Sequence, residues 1–341
     1  MKTSEFDYDL PESSIAQEPA QRRDASRLMV IYRSKPDVEY RLFKDLPDYL
    51  NDRDVLVINE TKVIPARLTG KKVSGDANIE ILLLKPLDAY RWEVLVRPGK
   101  KVKINDQLVF GDELFSGRII DFTDSGGRII EFSFEGNFEE LIQDAGEMPL
   151  PPYIKKYTGD PQRYQTIYAR QEGSVAAPTA GLHFTGELLE KVQKKGIAIK
   201  KIILHIGLGT FRPVSATDIS MHRMHSEYFE VSQDTADSVN MAREKGGRVV
   251  AVGTTTVRCL ESAARENGSL SATSGWTDLF IYPGYSFKVI DSMVTNFHLP
   301  RSTLLMMVSA FAGSEKILSA YRLAVGEKYR FFSFGDAMLI L

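Results

Sequence analysis

The chain has 341 residues, 43% hydrophobic and 26% charged, with a single cysteine and a formal net charge of −2. Cys259 alone excludes an internal disulfide and fits a reducing compartment. The balanced charge gives no global support for a polyanion partner, and the longest apolar run, Leu304–Ala312, falls far short of the roughly 20 residues that span a bilayer. The acidic, polar start MKTSEFDYDLPESS does not read as a signal peptide, so a cytoplasmic location is expected, and the length suggests about two domains.

In chain order, Arg22, Arg23, Asp24, Ser26 and Arg27 form a polar approach to an apolar strand over Leu28–Tyr32. The arginines there either cap and pair locally or bind an anion. A short amphipathic helix follows, with Leu42, Phe43, Leu46, Tyr49 and Leu50 on its inner face. From Asp54 to Phe134 the texture changes to β-prone runs such as VLVINE, NIEILLLKP and RWEVLVRPG, most of them separated by Gly, Pro, Asp or Asn. That spacing predicts a small antiparallel sheet or barrel, closed by a helix at Phe138–Gly146 and a PLPPY linker.

Beyond Pro152, strands and helices alternate. Helix 186–196 precedes strand Ile197–Ile206, and strand Tyr228–Val231 precedes helix Thr235–Lys245. Strand Arg248–Val252 leads into helix Thr255–Asn267; Asp278–Tyr282 reads as a strand, and Thr303–Ala312 and Glu315–Lys328 as helices. Such alternation predicts β-α units with ligands beyond the carboxyl ends of the strands. The expected fold is therefore an α/β large domain, residues 1–59 plus 151–341, with barrel closure left open. A small all-β, barrel-like domain is inserted at 60–150.

Several polar segments fall where strands should end. Ser174–Thr185, SVAAPTAGLHFT, is small-residue loop around one imidazole, His183, where a ligand can approach the backbone. HIGLGTF (His205–Phe211) places Gly207 and Thr210 after a strand. VGTTTVR (Val252–Arg258) runs from a strand into a helix start, where open N–H groups and the threonines welcome an anion. A simple threonine N-cap satisfies the same groups. TDLFIYPG carries Asp278 and Tyr282, NFHLPRST carries Asn296 and His298 with Ser302 as an expected N-cap, and Glu227 follows His225. His222 and His225 lie three apart, but no cysteine pair, HExxH, GxSxG, Walker A or GxGxxG motif occurs, so no metal site is expected. Basic clusters lie at Arg97–Lys103 and Lys191–Lys201; such runs permit an RNA partner without establishing one.

The segments FDYDLPESSIAQ, RRDASRLMV, NETKVIPARL, AAPTAGLHFT, HIGLGTFRPV, MHSEYFEV, VGTTTVRCLES, TDLFIYPGY and TNFHLPRSTLLMMVSAF resemble, in order and from Phe6 to Phe311, the motifs of the S-adenosylmethionine:tRNA ribosyltransferase-isomerase family of queuosine biosynthesis. Glu60 and Arg301 stand where that pattern has Asp and Lys, with the charge kept. The resemblance implies transfer and isomerisation of the ribosyl group of S-adenosylmethionine onto 7-aminomethyl-7-deazaguanine at the tRNA wobble position. Epoxyqueuosine-tRNA, adenine and methionine are the implied products. S-adenosylmethionine acts as co-substrate, no metal is required, no membrane partner is implied, and a monomer is expected.

In that chemistry the sulfonium acidifies a ribose carbon, and a neutral imidazole suits the base. On this reading His183 is the base, and Asp278 or Glu227 pairs with cationic groups. His298 helps adenine leave, and Arg258 with Thr254 and Thr255 holds the methionine carboxylate. Thr179, Gly181, His205, Gly207, Thr210, Tyr282 and Asn296 complete the expected binding set. Arg97, Lys100, Lys101 and Tyr168, with Tyr164 and Arg170 beside them, are candidates to touch tRNA. The rivals are an S-adenosylmethionine-dependent RNA methyltransferase and a non-catalytic RNA-binding module.

Overall fold

The structure is a computed structural model that describes residues 1–341 apart from 76, 124–125, 156, 208–213 and 215. It divides into two compact units. One comprises Met1–Lys62, Pro151–Gln171 and Ala177–Leu341, the other Val63–Leu150 and Glu172–Ala176.

The larger unit is built on a nine-stranded sheet. Ala198–Leu204, Val55–Asn59, Val249–Val252 and Ser292–Asn296 run parallel, side by side. Val55–Asn59 and Val249–Val252 are buried along their whole length, as the near-continuous apolar composition of a central parallel strand requires. Ala337–Ile340 then pairs antiparallel to Ser292–Asn296 and parallel to Arg27–Ile31, with Val38–Leu42 at that edge. On the other side Glu227–Val231 and Thr273–Thr277 are antiparallel additions. The sheet stays open between its two edge strands, so it is not a barrel.

The register aligns the carboxyl ends of the four parallel strands with the amino ends of the reversed ones. Asn296 faces Ala337, Ala337 faces Leu28, Arg27 faces Leu42, and Glu227 faces Thr277. Residues hundreds of positions apart in sequence thereby share one border.

Helix Gly186–Lys194 begins at Thr185, whose hydroxyl accepts from the Leu188 amide, and it buries Leu188 and Val192. Ser232 caps helix Gln233–Glu244, and Ser302 caps Thr303–Ala312 as its sequence suggests. Phe43–Tyr49 is a 3₁₀ helix rather than an α-helix, because Pro47 inside it removes a donor. Lys195 Nζ donates to the carbonyl of Leu50 just past its end. Phe43, Leu46, Leu56, Phe184, Val252 and Leu339 belong to one apolar cluster.

The expected strand Asp278–Tyr282 is a correction. The strand lies at Thr273–Thr277, where TSGWT pairs with Glu227–Val231, and 278–282 are irregular. Phe280 and Tyr282 pack ring to ring rather than alternating on a sheet.

In the smaller unit six strands close on themselves. Arg67–Lys72 pairs with Asn78–Pro86 on one side and Gln107–Phe110 on the other; Arg91–Arg97, Arg128–Ser133 and Phe115–Phe122 complete the circuit. Closure needs Gly70: a Cβ there would lie 2.5 Å from the Phe110 ring. Phe110, Phe115 and Phe132 stack inside with Phe138 of helix Phe138–Ala145.

Asp54 joins the amino ends of two neighbouring parallel strands. Its fully buried carboxylate accepts from the amide of Arg248 (2.9 Å), from the Arg248 guanidinium (2.6 Å) and from the amide of Asn51 (3.0 Å). Asp54→Ala leaves these donors without their acceptor, and the expected cost is about 3–5 kcal/mol in urea-denaturation midpoints interpreted at constant slope.

Candidate active site

A cleft opens at the shared border and is lined by Pro178, Thr179, Gly253–Thr255, Asn296, His298 and Ser333, among others. Its position matches the rule that open α/β sheets bind ligands beyond their strand ends.

On one side stands helix Thr254–Ala263. Its N-cap is Gly253, with φ of 89° and no side chain to offer. The threonines do not substitute for a cap. Thr256 Oγ1 donates back to Val252 O (2.6 Å), and Thr255 Oγ1 accepts from Asn59 Nδ2 (3.3 Å). The first-turn amides therefore open on the cleft with the positive end of the helix dipole behind them.

His183 ends the 3₁₀ helix Thr179–His183 and is only 5% exposed, so SVAAPTAGLHFT is interior structure and not a surface loop. Its ring stacks on Phe43 at 4.8 Å. Nδ1 lies 2.7 Å from Ser26 Oγ. Ser26 Oγ also lies 3.2 Å from Arg23 O, and the contacts accommodate the imidazole proton either on Nδ1, toward Ser26, or on Nε2, toward Asn296. Burial pushes the ring's pKa down to about 3, with the positive charge of Arg330 adding to the effect and the Asn296 side chain opposing it. Nε2 and Asn296 Oδ1 are both buried without a hydrogen-bond partner. Asn296 is held by its own amide nitrogen on Phe332 O (2.9 Å). A proton on Nε2 gives these two acceptors a shared hydrogen, in the neutral Nε2–H tautomer as in the imidazolium.

His298 lines the same cleft, with Nε2 3.0 Å from Thr295 Oγ1, and burial holds it neutral with a pKa near 3. His205 sits against Thr61 Oγ1 (2.7 Å) and the Tyr228 ring, its pKa pushed by burial to about 4. Thr179, Thr254, Thr255, Asn296 and His298 are thus brought together, with His183 behind Asn296.

Other expected site residues lie elsewhere. Arg258 lines a neighbouring cleft together with Thr254 and Thr255, and there its guanidinium ion-pairs with the buried Glu227 and donates to Leu279 O (3.1 Å) and Thr277 O (3.3 Å), so its charge is already matched. Glu227 Oε1 also accepts from the Gly207 amide (2.9 Å), which makes this pair a support for the strand ends. Asp278 is exposed and Tyr282 half-buried, outside the cleft. Gly181 is needed where it is, since a Cβ would meet Tyr168 Oη at 2.1 Å. Tyr168 is accordingly packed against the core, its hydroxyl buried, and offers no free ring to a base. Tyr164 is fully buried as well. Thr210 lies outside the described residues.

Of the basic clusters, Lys191, Lys194, Lys200 and Lys201 are paired with Asp48, Glu190, Asp234 and Glu60, which makes that run a solvated, neutralised face. Arg97, Lys100 and Lys101 are exposed in the smaller unit. Sequence reasoning missed Ser26, Asn59 and Ser333. Asn59 carried a signal: it is a polar residue ending the otherwise apolar run VLVIN.

Residues 3–340 match the model of a family described as queuosine biosynthesis protein. The chain is 62% identical over 341 residues to the S-adenosylmethionine:tRNA ribosyltransferase-isomerase of Pelotomaculum thermopropionicum, covering all of both chains. It is 59% identical over 342 positions, again all of both chains, to the protein of that name from Moorella thermoacetica. The crystal structure of S-adenosylmethionine tRNA ribosyltransferase from Thermotoga maritima aligns at 44% identity with a TM-score of 0.58, covering 99% of this chain and 100% of that one.

Three imidazoles held neutral set a pH dependence. His183, His205 and His298 have folded pKa values of about 3, 4 and 3, while unfolded histidine titrates near 6.5. Between about pH 6.5 and 4 the unfolded chain binds more protons, so stability falls as pH falls through that window. The urea midpoint is expected to drop from pH 7.5 to pH 5, and His298→Gln should lessen that drop. A variant as pH-sensitive as the parent would contradict the assignment.

Proposed function

The chain belongs to the queuosine biosynthesis protein family, and from that premise we propose that the strand-end cleft is where it transfers and isomerises the ribosyl group of S-adenosylmethionine onto a tRNA base. The acceptor is 7-aminomethyl-7-deazaguanine at the wobble position, and the products are epoxyqueuosine-tRNA, adenine and methionine. The observation that carries the reading is the buried, neutral His183, held by Ser26 and Phe43 next to the side chain of Asn296, which itself lines the cleft.

The sulfonium of the donor withdraws electrons from the adjoining ribose carbon and makes its C–H acidic. His183 takes that proton, and Asn296 Oδ1 steadies the imidazolium that forms. The electron pair left on carbon forms a double bond to the neighbouring ring carbon and breaks that carbon's bond to the ring oxygen, whose own pair closes a carbonyl at the anomeric carbon and expels adenine, which takes up a proton. Negative charge on the departing purine falls at the open amides of Thr254–Thr256, with His298 beside them. The acceptor amine then adds to the sugar, and closure of the epoxide expels methionine by breaking the carbon–sulfur bond. Because the sulfonium is both activator and leaving group, the sequence of steps calls for no metal or redox partner. Phe43 and Ser26 fix the ring, so the base is aimed before substrate arrives.

A wobble base lies in a single-stranded loop, so no duplex has to be opened. Exposed Arg97, Lys100 and Lys101 of the smaller barrel support a role in tracking the tRNA backbone. No described helix is long and apolar enough to cross a membrane, and a tRNA acceptor supports a cytoplasmic location.

Purified protein given donor and precursor tRNA should release adenine and methionine; S-adenosylhomocysteine instead would identify a methyltransferase, and no product a binding module. His183→Gln is expected to slow single-turnover adenine release by about 10²–10⁴-fold with donor affinity within a few-fold. A near-native rate would remove His183 as the base. Reversing Lys100 and Lys101 to Glu should weaken tRNA binding and flatten its dependence on salt, read from filter binding between low and moderate ionic strength.

A further inference from the structure

We propose that a second cleft, between Arg23 and Arg163, holds the carboxylate of the donor's methionine arm; the inference rests on the function proposed above and adds a subsite to it. This cleft is lined by Arg23, Ser26, Arg163, His183 and Ser333, among others. Ser333 also lines the larger cleft, and His183 is the base assigned there, so the two spaces adjoin at the reacting carbon.

Both guanidinium groups are aimed by neutral carbonyls. Arg23 donates to Leu182 O (3.0 Å) and Gln165 O (3.0 Å), and Arg163 to Ala20 O (2.6 Å). Among the described residues the ion pairs of this region engage Arg22 with Asp24 and Lys155 with Glu12, and leave these two arginines with carbonyl partners alone. Asp160, whose charge Arg23 feels, is turned to the amide of Gln162 (2.8 Å). Arg163 Nε is buried with no partner. Half-buried Arg23 is held below the usual guanidinium range by desolvation first and by Arg163 second, with the charge of Asp160 opposing them only in part.

An anion is the missing piece: it meets two cations, accepts from the orphan N–H, and relieves their repulsion. S-adenosylmethionine carries one carboxylate, at the far end of its methionine arm and on the opposite side of the sulfonium from the adenosyl group. The other buried arginine near the reaction, Arg258, is already neutralised by Glu227, and the helix start at Thr254 offers partial charges only. The arginine-rich approach to the first strand thus binds an anion through Arg23, while Arg22 pairs locally.

The test compares S-adenosylmethionine with its decarboxylated analogue as donors, in adenine-release assays with precursor tRNA on the wild type, Arg163→Gln and Arg163→Lys. Arg163 is preferred to Arg23, which also anchors Leu182 beside the base. Losing the carboxylate should raise the wild-type KM about 10- to 100-fold. Arg163→Gln should raise KM for S-adenosylmethionine by a similar factor with kcat within a few-fold, and leave the analogue's KM unchanged; Arg163→Lys should recover part of the loss. Equal penalties on both donors, no penalty on either, or a rise confined to the KM for tRNA would overturn the subsite while leaving the activity intact. Absence of adenine from the wild type would instead sink the functional reading itself.

Discussion

The antiparallel pairing of Ser292–Asn296 with Ala337–Ile340 is the constraint on which the site depends. Four strands arrive at one border with their carboxyl ends, and at this pair the sheet reverses, so that the chain approaching Ala337 and the chain approaching Arg27 come to the same border from outside. Asn296, Ser333, Ser26 and the 3₁₀ helix carrying His183 meet there for that reason alone. A wholly parallel sheet would bring carboxyl-end loops together but not the polar segment before Arg27.

Around that junction, burial rather than charge does the tuning. Three imidazoles are neutral because they are dry, and they differ in their partners. His298 Nε2 and His205 Nδ1 each face a threonine hydroxyl, whereas His183 is set between Ser26 and the side chain of Asn296, with Phe43 stacked on its ring.

Much of this was legible in the sequence where local chemistry decides the outcome. Thr185 and Ser302 cap helices as their positions suggest, and the apolar runs at Val55 and Val249 form the centre of a parallel sheet. The reading failed where tertiary pairing overrode local pattern. TSGWT has a poor strand composition, yet Glu227–Val231 supplies the ladder that makes it one, while apolar FIY next to it packs ring on ring. Ser26 looks like one more polar residue before a strand, and nothing local says that it will orient an imidazole 157 positions away.

Charged residues show the same limit more sharply. From sequence, Arg258 one turn into a helix whose start is rich in threonine is a better anion-binder than Arg23 in RRDAS. The fold inverts the order by supplying Glu227 to Arg258 and only carbonyls to Arg23. A buried guanidinium beside a carboxylate is already neutral, and removing either member leaves the other uncompensated; the pair holds structure in place and has little left for a ligand. A guanidinium held by carbonyls keeps its full charge and is merely oriented. What separates a binding arginine from a supporting one is therefore the sign of its partners, a property that exists only once strands from distant parts of the chain have met.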